Sequence, residues 1–195
     1  SGNNAFGIYF RSTDGGGDLV ARIGTGSGSQ TVTYPTSNIT ENEWYHVVLG
    51  WTSGGNLNMY INGSLVVSSG STLAGTINDI TESLYLGSSD SGFENGFDGR
   101  LDEVRIWGLE RSESEIQSHM SGTLLGNESG LQGYYKFDQG EANADNASPA
   151  VILLPDRSQN QNNGTLNGFT LVGNESNWVD SDFKQPEIVV YQGVG

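Results

Sequence analysis

The sequence predicts an all-β fold of antiparallel strands carrying one short helix, and three observations carry that prediction. Glycine is abundant at 29 of 195 residues and proline scarce at 4, and short apolar runs are separated by Gly, Asn, Asp and Ser, the texture of strands joined by turns. Asn62-Gly63 lies between two alternating runs and supplies the two positive φ values of a type I′ hairpin turn. Ser112 to Met120 alone has helix-start signals: Ser at the N-cap, Glu three residues on, and acids in the first turn.

Residues 5 to 11 and 18 to 23 alternate and are separated by Ser12-Thr13-Asp14-Gly15-Gly16-Gly17, which predicts an antiparallel hairpin. Gln30 to Tyr34 is a third strand, stopped by Pro35. Glu43 to Trp51 is apolar on both parities, as a strand covered on both faces would be. His46 lies within it and reads as a hydrogen-bonded structural histidine rather than a base or ligand. Leu57, Met59 and Ile61 share one face of the next strand, with Asn58 and Tyr60 on a polar face. Ser83 to Gly87 reads as a short strand, and Gly130 to Asp138 as the last strong one. The apolar run Ile188 to Tyr191 reads as the possible start of a neighbouring module.

The stretch Phe97 to Trp107 leads straight into the helix. Its alternation puts Asp102, Val104 and Ile106 on one face and Leu101, Glu103, Arg105 and Trp107 on the other. With Val104 and Ile106 toward the core, Asp102 is the expected buried acid. Such a carboxylate has to collect hydrogen bonds or bind a cation, because an unpaired buried charge costs several kcal/mol. Leu109, Ile116 and Met120 make the helix a small lid.

A formal net charge of −15, from 23 acids against 8 bases, argues against nucleic-acid or anionic-membrane partners. There is no cysteine, hence no disulfide framework and no thiolate chemistry. No apolar run approaches the roughly 20 residues of a membrane span. The chain therefore reads as a secreted or cell-surface module with neighbouring domains in a larger protein. Asn-x-Ser/Thr triplets begin at Asn38, Asn62, Asn127, Asn146, Asn163 and Asn174, a frequency its composition alone accounts for.

The order of Glu43-Trp44-Tyr45-His46-Val47, Met59-Tyr60-Ile61-Asn62-Gly63, Leu84-Tyr85-Leu86-Gly87, Phe97 to Trp107 and the Ser-x-x-Glu-Ile helix resembles the laminin-G/pentraxin-like domains of the concanavalin A-like lectin/glucanase superfamily. The resemblance covers about residues 5 to 138 and implies an antiparallel jelly-roll β-sandwich. The segment Asp156 to Leu166 resembles the connectors between tandem domains of this type. The expected organisation is a domain over 1–183, with its core at 5–138 and a connector-like part at 139–183, then a tail or linker at 184–195. The family's usual opening strands, around a Phe-Asp-Gly motif, have no counterpart before Phe6; Gly164 to Phe183 is one candidate to fill their place.

Asp156-x-Ser158-x-Asn160-x-Asn162-Asn163-Gly164 places oxygen-bearing side chains at alternate positions before a glycine, which suits a hard cation such as calcium. Asp138 and Asp102 are candidates to complete that set. An Asn-rich turn that satisfies its own backbone is the alternative. The Glu-x-Asp-x-x-Glu pattern of jelly-roll glucanases is absent, and Asp102 and Glu103 point to opposite faces, so they cannot form a glycosidase pair. The resemblance thus implies a non-catalytic module binding carbohydrate or a cell-surface ligand, with calcium support. Trp51, Tyr60, Trp107 and Trp178 are the candidate sugar-stacking aromatics, with core packing as their alternative role. A structural or adhesive spacer is the second reading, and a glycoside hydrolase or lyase the third.

Overall fold

Residues 6–35 form a three-stranded antiparallel sheet of β1 (Phe6–Thr13), β2 (Gly16–Thr25) and β3 (Gly28–Pro35). The computed structural model describes residues 5–13, 16–78, 83–88, 96–173, 177–180 and 188–191. A six-stranded sheet faces the first, with β4 (Val47–Gly50), β5 (Asn58–Ile61), β6 (Ser64–Ser68), β7 (Val104–Trp107), β8 (Leu131–Tyr135) and a late strand, Ile188–Tyr191. A third, two-stranded sheet pairs β9 (Leu153–Leu154) with β10 (Gly164–Thr165). The late strand is β11, and the large sheet runs β6-β5-β4-β11-β7-β8.

Asn62 and Gly63 have φ of 50° and 79°, the conformation of the predicted turn, and they join β5 to β6. Helix α1 (Glu113–His119) is capped as expected: the Ser112 hydroxyl accepts the Glu115 N–H, and the Glu115 carboxylate accepts the Ser112 N–H. The Ser112 N–H, and after it the Ser112 hydroxyl, both donating to that carboxylate at 2.9 Å, hold the Glu115 carboxyl below its usual range.

The large sheet is buried on both faces. On one side Val47, Leu49, Met59 and Ile61 meet Leu19, Ala21, Ile23 and Val32 of the small sheet, around Trp51 and Leu57. Farther along that face, Val104 and Tyr135 pack on Leu154. On the other side Val48, Tyr60, Trp107, Leu131 and Tyr134 pack on Ile116 of α1. Tyr60 is therefore buried, not on a polar face: the helix lid covers the parity that sequence alternation left to solvent.

Three other expectations change. Residues 83–88 form no strand, only bends at 86–88, and the stretch from Phe97 is a strand only from Val104. Glu103 has φ of 51°, a left-handed turn just before β7 that ends regular alternation. Ile188–Tyr191, expected in the tail, lies inside the sheet, parallel to both β4 and β7.

Candidate functional site

The chemistry of the Gly99–Trp107 stretch centres on Glu103, not Asp102. Glu103 is buried, and its Oε2 accepts Arg105 Nη2 at 2.8 Å and the Tyr134 hydroxyl at 2.6 Å. Arg105, also buried, donates to the carbonyls of His119 at 2.8 Å and Gly122 at 2.5 Å. The guanidinium thus ties β7 to the end of α1, with its charge balanced by Glu103. Burial, then the Glu103 hydrogen bond, push the Tyr134 hydroxyl well above its usual range. Asp102 is half-buried, and its Oδ1 accepts the Glu103 N–H at 2.8 Å. Burial, reinforced by the neighbouring Glu103 charge, pushes its carboxyl up to about 6. The reason the expected buried acid is the wrong one is the second covered face: Glu103 and Arg105 lie on the side closed by the helix.

His46 is buried, but neither ring nitrogen has a hydrogen-bond partner among the described residues. Its attachment is through the backbone, whose N–H donates to Asn62 Oδ1 at 2.9 Å. Desolvation, then the positive charge of Arg105, lower its pKa to about 3.

The Asp156 string forms a loop closed on itself. Asp156 Oδ1 accepts the N–H groups of Tyr134 at 2.9 Å and Ser158 at 2.8 Å. Its Oδ2 accepts the Ser158 hydroxyl at 2.9 Å and the Asn162 N–H at 2.9 Å. Four donors fill the lone pairs that a calcium ion would need. Asn160 turns its amide to the Gln132 carbonyl at 3.0 Å. Asp138 is elsewhere, ion-paired with Lys136 at 2.8 Å and Arg157 at 3.4 Å, and Asp102 lies with Glu103. Among the described residues no group of three or more His, Asp or Glu side chains is arranged to hold a metal ion. The Asp156 oxygens thus accept from backbone and hydroxyl donors, the pattern of a backbone-satisfying turn.

Of the predicted stacking aromatics, Trp51 and Trp107 are fully buried and Tyr60 nearly so. Trp107 carries the Arg111 guanidinium over its ring at 3.7 Å, an internal cation–π contact. Trp178 is half-buried and packs on Gly140. None of the four forms an open platform.

An open aromatic surface exists elsewhere. Phe6, Ile8 and Phe10 alternate onto the core-facing side of β1; the first two pack on the core, whereas Phe10, farther along, stays half exposed at 50%. There it stacks on Phe97, itself 38% exposed, with ring centroids 6.0 Å apart and planes 10° from parallel. The Phe97 N–H donates to the Gly87 carbonyl at 2.8 Å, and its ring lies over Gly99, where a Cβ would be 2.5 Å from Phe97 Cζ. One residue along β1, Arg11 pairs with Asp18 at 2.8 Å. Sequence reasoning missed this pair because its halves lie far apart along the chain, one on β1 and one in the loop before β7; Phe10 was visible only as one more apolar strand position. A small groove of about 340 Å³ at the β2–β3 turn is lined by Arg22, Thr25, Ser29 and Asn78 among others, and the Arg22 Nε there is buried without a partner among the described residues.

Among solved structures, the chain is similar to residues 221–444 of an S-layer domain-containing protein from Clostridium thermocellum, with 20% identity and a TM-score of 0.36. That match covers 58% of this chain and 62% of the other, so the chain spans less than two thirds of that structure's length. No curated protein sequence matches significantly. The Laminin_G_3 family profile, described as concanavalin A-like lectin/glucanases superfamily, matches residues 1–117. The chain, with its facing, mostly antiparallel sheets and a short helix, therefore belongs to the Laminin_G_3 family of the concanavalin A-like superfamily.

Proposed function

We propose that this protein is a non-catalytic extracellular recognition module that binds carbohydrate on the Phe10–Phe97 platform without calcium. The observation that carries the reading is that stack: two phenyl rings held nearly parallel at the sandwich rim, each with a large fraction of its surface in water. Soluble proteins tend to retain clustered exposed apolar surface where something covers it, and the apolar face of a sugar ring suits flat aromatic surface with polar groups at its edge. The carboxylates of the central stretch are committed to structure: Glu103 to Arg105 and Tyr134, Asp102 to a backbone N–H. They are not free to serve as an acid/base pair across a cleft.

A glycan array with the wild-type chain, with and without chelator, tests the proposal. The expected result is retention of at least one glycan class in both conditions. Phe10→Ala and Phe97→Ala are each expected to weaken binding by about tenfold while leaving far-UV circular dichroism unchanged. No retained glycan would leave the spacer reading in its place, and binding lost only with chelator would restore a calcium role.

A further inference from the structure

We infer that the slot between β4 and β7 is a strand-acceptor site that exchanges its own β11 for the β11 of a second copy of this chain, joining copies through reciprocally donated strands. β11 fills a position inside the sheet, pairing Ile188, Val189 and Val190 with Val47, Val48 and Leu49 of β4. On its other side Val189, Val190 and Tyr191 pair with Arg105, Ile106 and Trp107 of β7. Both ladders are parallel, whereas the other strand pairs of the sheet are antiparallel. No hairpin connects β11 to either neighbour, so it docks as a separate segment, held by main-chain hydrogen bonds that are the same whichever copy supplies them.

The slot is built independently of its occupant. β4 is fixed by the β5 hairpin and by Val48 in the helix-side core, and β7 is fixed by β8 and by the Arg105 tether to α1. Without β11 the slot would be a gap of about 9 to 10 Å flanked by two rows of unpaired N–H and C=O groups. Such edges demand a strand, and only its source is free to vary. Before β11 the chain is anchored at Asp180, whose Oδ2 accepts Asn143 Nδ2 at 2.9 Å and whose carbonyl accepts Arg100 Nη1 at 3.5 Å. Identical contacts in both arrangements make exchange cost little beyond loss of the tether, which acts as an effective concentration on the order of 1 mM.

The test uses the full chain, unfolded and refolded at about 1 mM, beside its Val189→Pro variant, which removes a ladder donor from the tail strand. Sedimentation after dilution is expected to show dimers for wild type and monomer for V189P. A fluorescent peptide of residues 184–195 is expected to bind V189P at least about tenfold more tightly than wild type, whose slot is already filled. Should V189P fail to fold alone, recovery of its circular dichroism on adding the peptide is the equivalent positive result. Wild type that stays monomeric after refolding overturns the inference; so does V189P that neither binds the peptide nor refolds with it.

Discussion

Tyr134 on β8 donates its hydroxyl to Glu103 at 2.6 Å, onto the same carboxylate oxygen that Arg105 reaches at 2.8 Å. All three side chains are buried, and the value of each depends on the other two.

Removing one member should therefore cost more than an average core substitution. Glu103→Ala leaves the Arg105 guanidinium without its counter-charge and is expected to lower stability by about 3 to 5 kcal/mol. Tyr134→Phe removes one charge-assisted hydrogen bond and should cost about 1.5 to 3 kcal/mol. Urea unfolding of both single variants and the double variant measures the coupling. Costs that simply add would show that the three groups do not act as one unit.

Stability should depend on pH through two groups of opposite sign. His46 titrates at about 3 in the fold against about 6.5 when unfolded, so its contribution is full above pH 6.5 and is lost as pH falls toward 3. Asp102 titrates at about 6 in the fold against about 3.9 unfolded. It favours the fold below pH 4, and that contribution is lost as pH rises through 6. Asp102→Asn keeps the oxygen that accepts the Glu103 N–H, so it should raise the midpoint of urea unfolding at pH 8 and steepen the loss of stability on acidification. A variant no more stable than wild type at pH 8 would contradict the burial cost assigned to Asp102.

Much of this architecture was legible along the chain. The β1–β2 hairpin, the Asn62-Gly63 turn and the Ser112 capping box are local devices whose residues lie within a few positions of each other, so spacing reveals them. What stayed hidden depends on distant partners. Tyr60 and Glu103 sit on a parity that alternation assigns to solvent, and only the return of α1 over the sheet buries them. Ile188–Tyr191 looks the same in sequence whether it opens another module or closes this sheet. The Asp156 string carries the same oxygen atoms whether it waits for an ion or for its own backbone, and one of the donors it accepts, the Tyr134 N–H, comes from distant β8.

Asp156→Ala should release four donors at once and lower stability by at least about 2 kcal/mol. Calcium at a hundredfold excess over its Kd would add about 2.7 kcal/mol to a protein that binds it only when folded. Differential scanning calorimetry of wild type in calcium and in chelator is expected to give the same Tm. A rise in Tm with calcium would mean that an ion displaces those donors or binds elsewhere.

Gly99→Ala places a methyl group against the Phe97 ring and should swing that ring off Phe10. The expected outcome is weaker glycan retention, by about tenfold as for Phe97→Ala, with an unfolding midpoint close to that of wild type because both rings lie at the surface. Unchanged retention would show that the stacked geometry is not what the ligand reads.

A large sheet roofed on both sides, by the small sheet and β9 on one and by α1 on the other, has no broad face left to offer a ligand. New specificity in such a domain has to be written at its margins: the ends of β1, the segment around Phe97 and Gly99, and the turn beside Arg22. Substitutions there can be sampled without touching either core, so this scaffold can diversify what it recognises while the frame behind it stays constant.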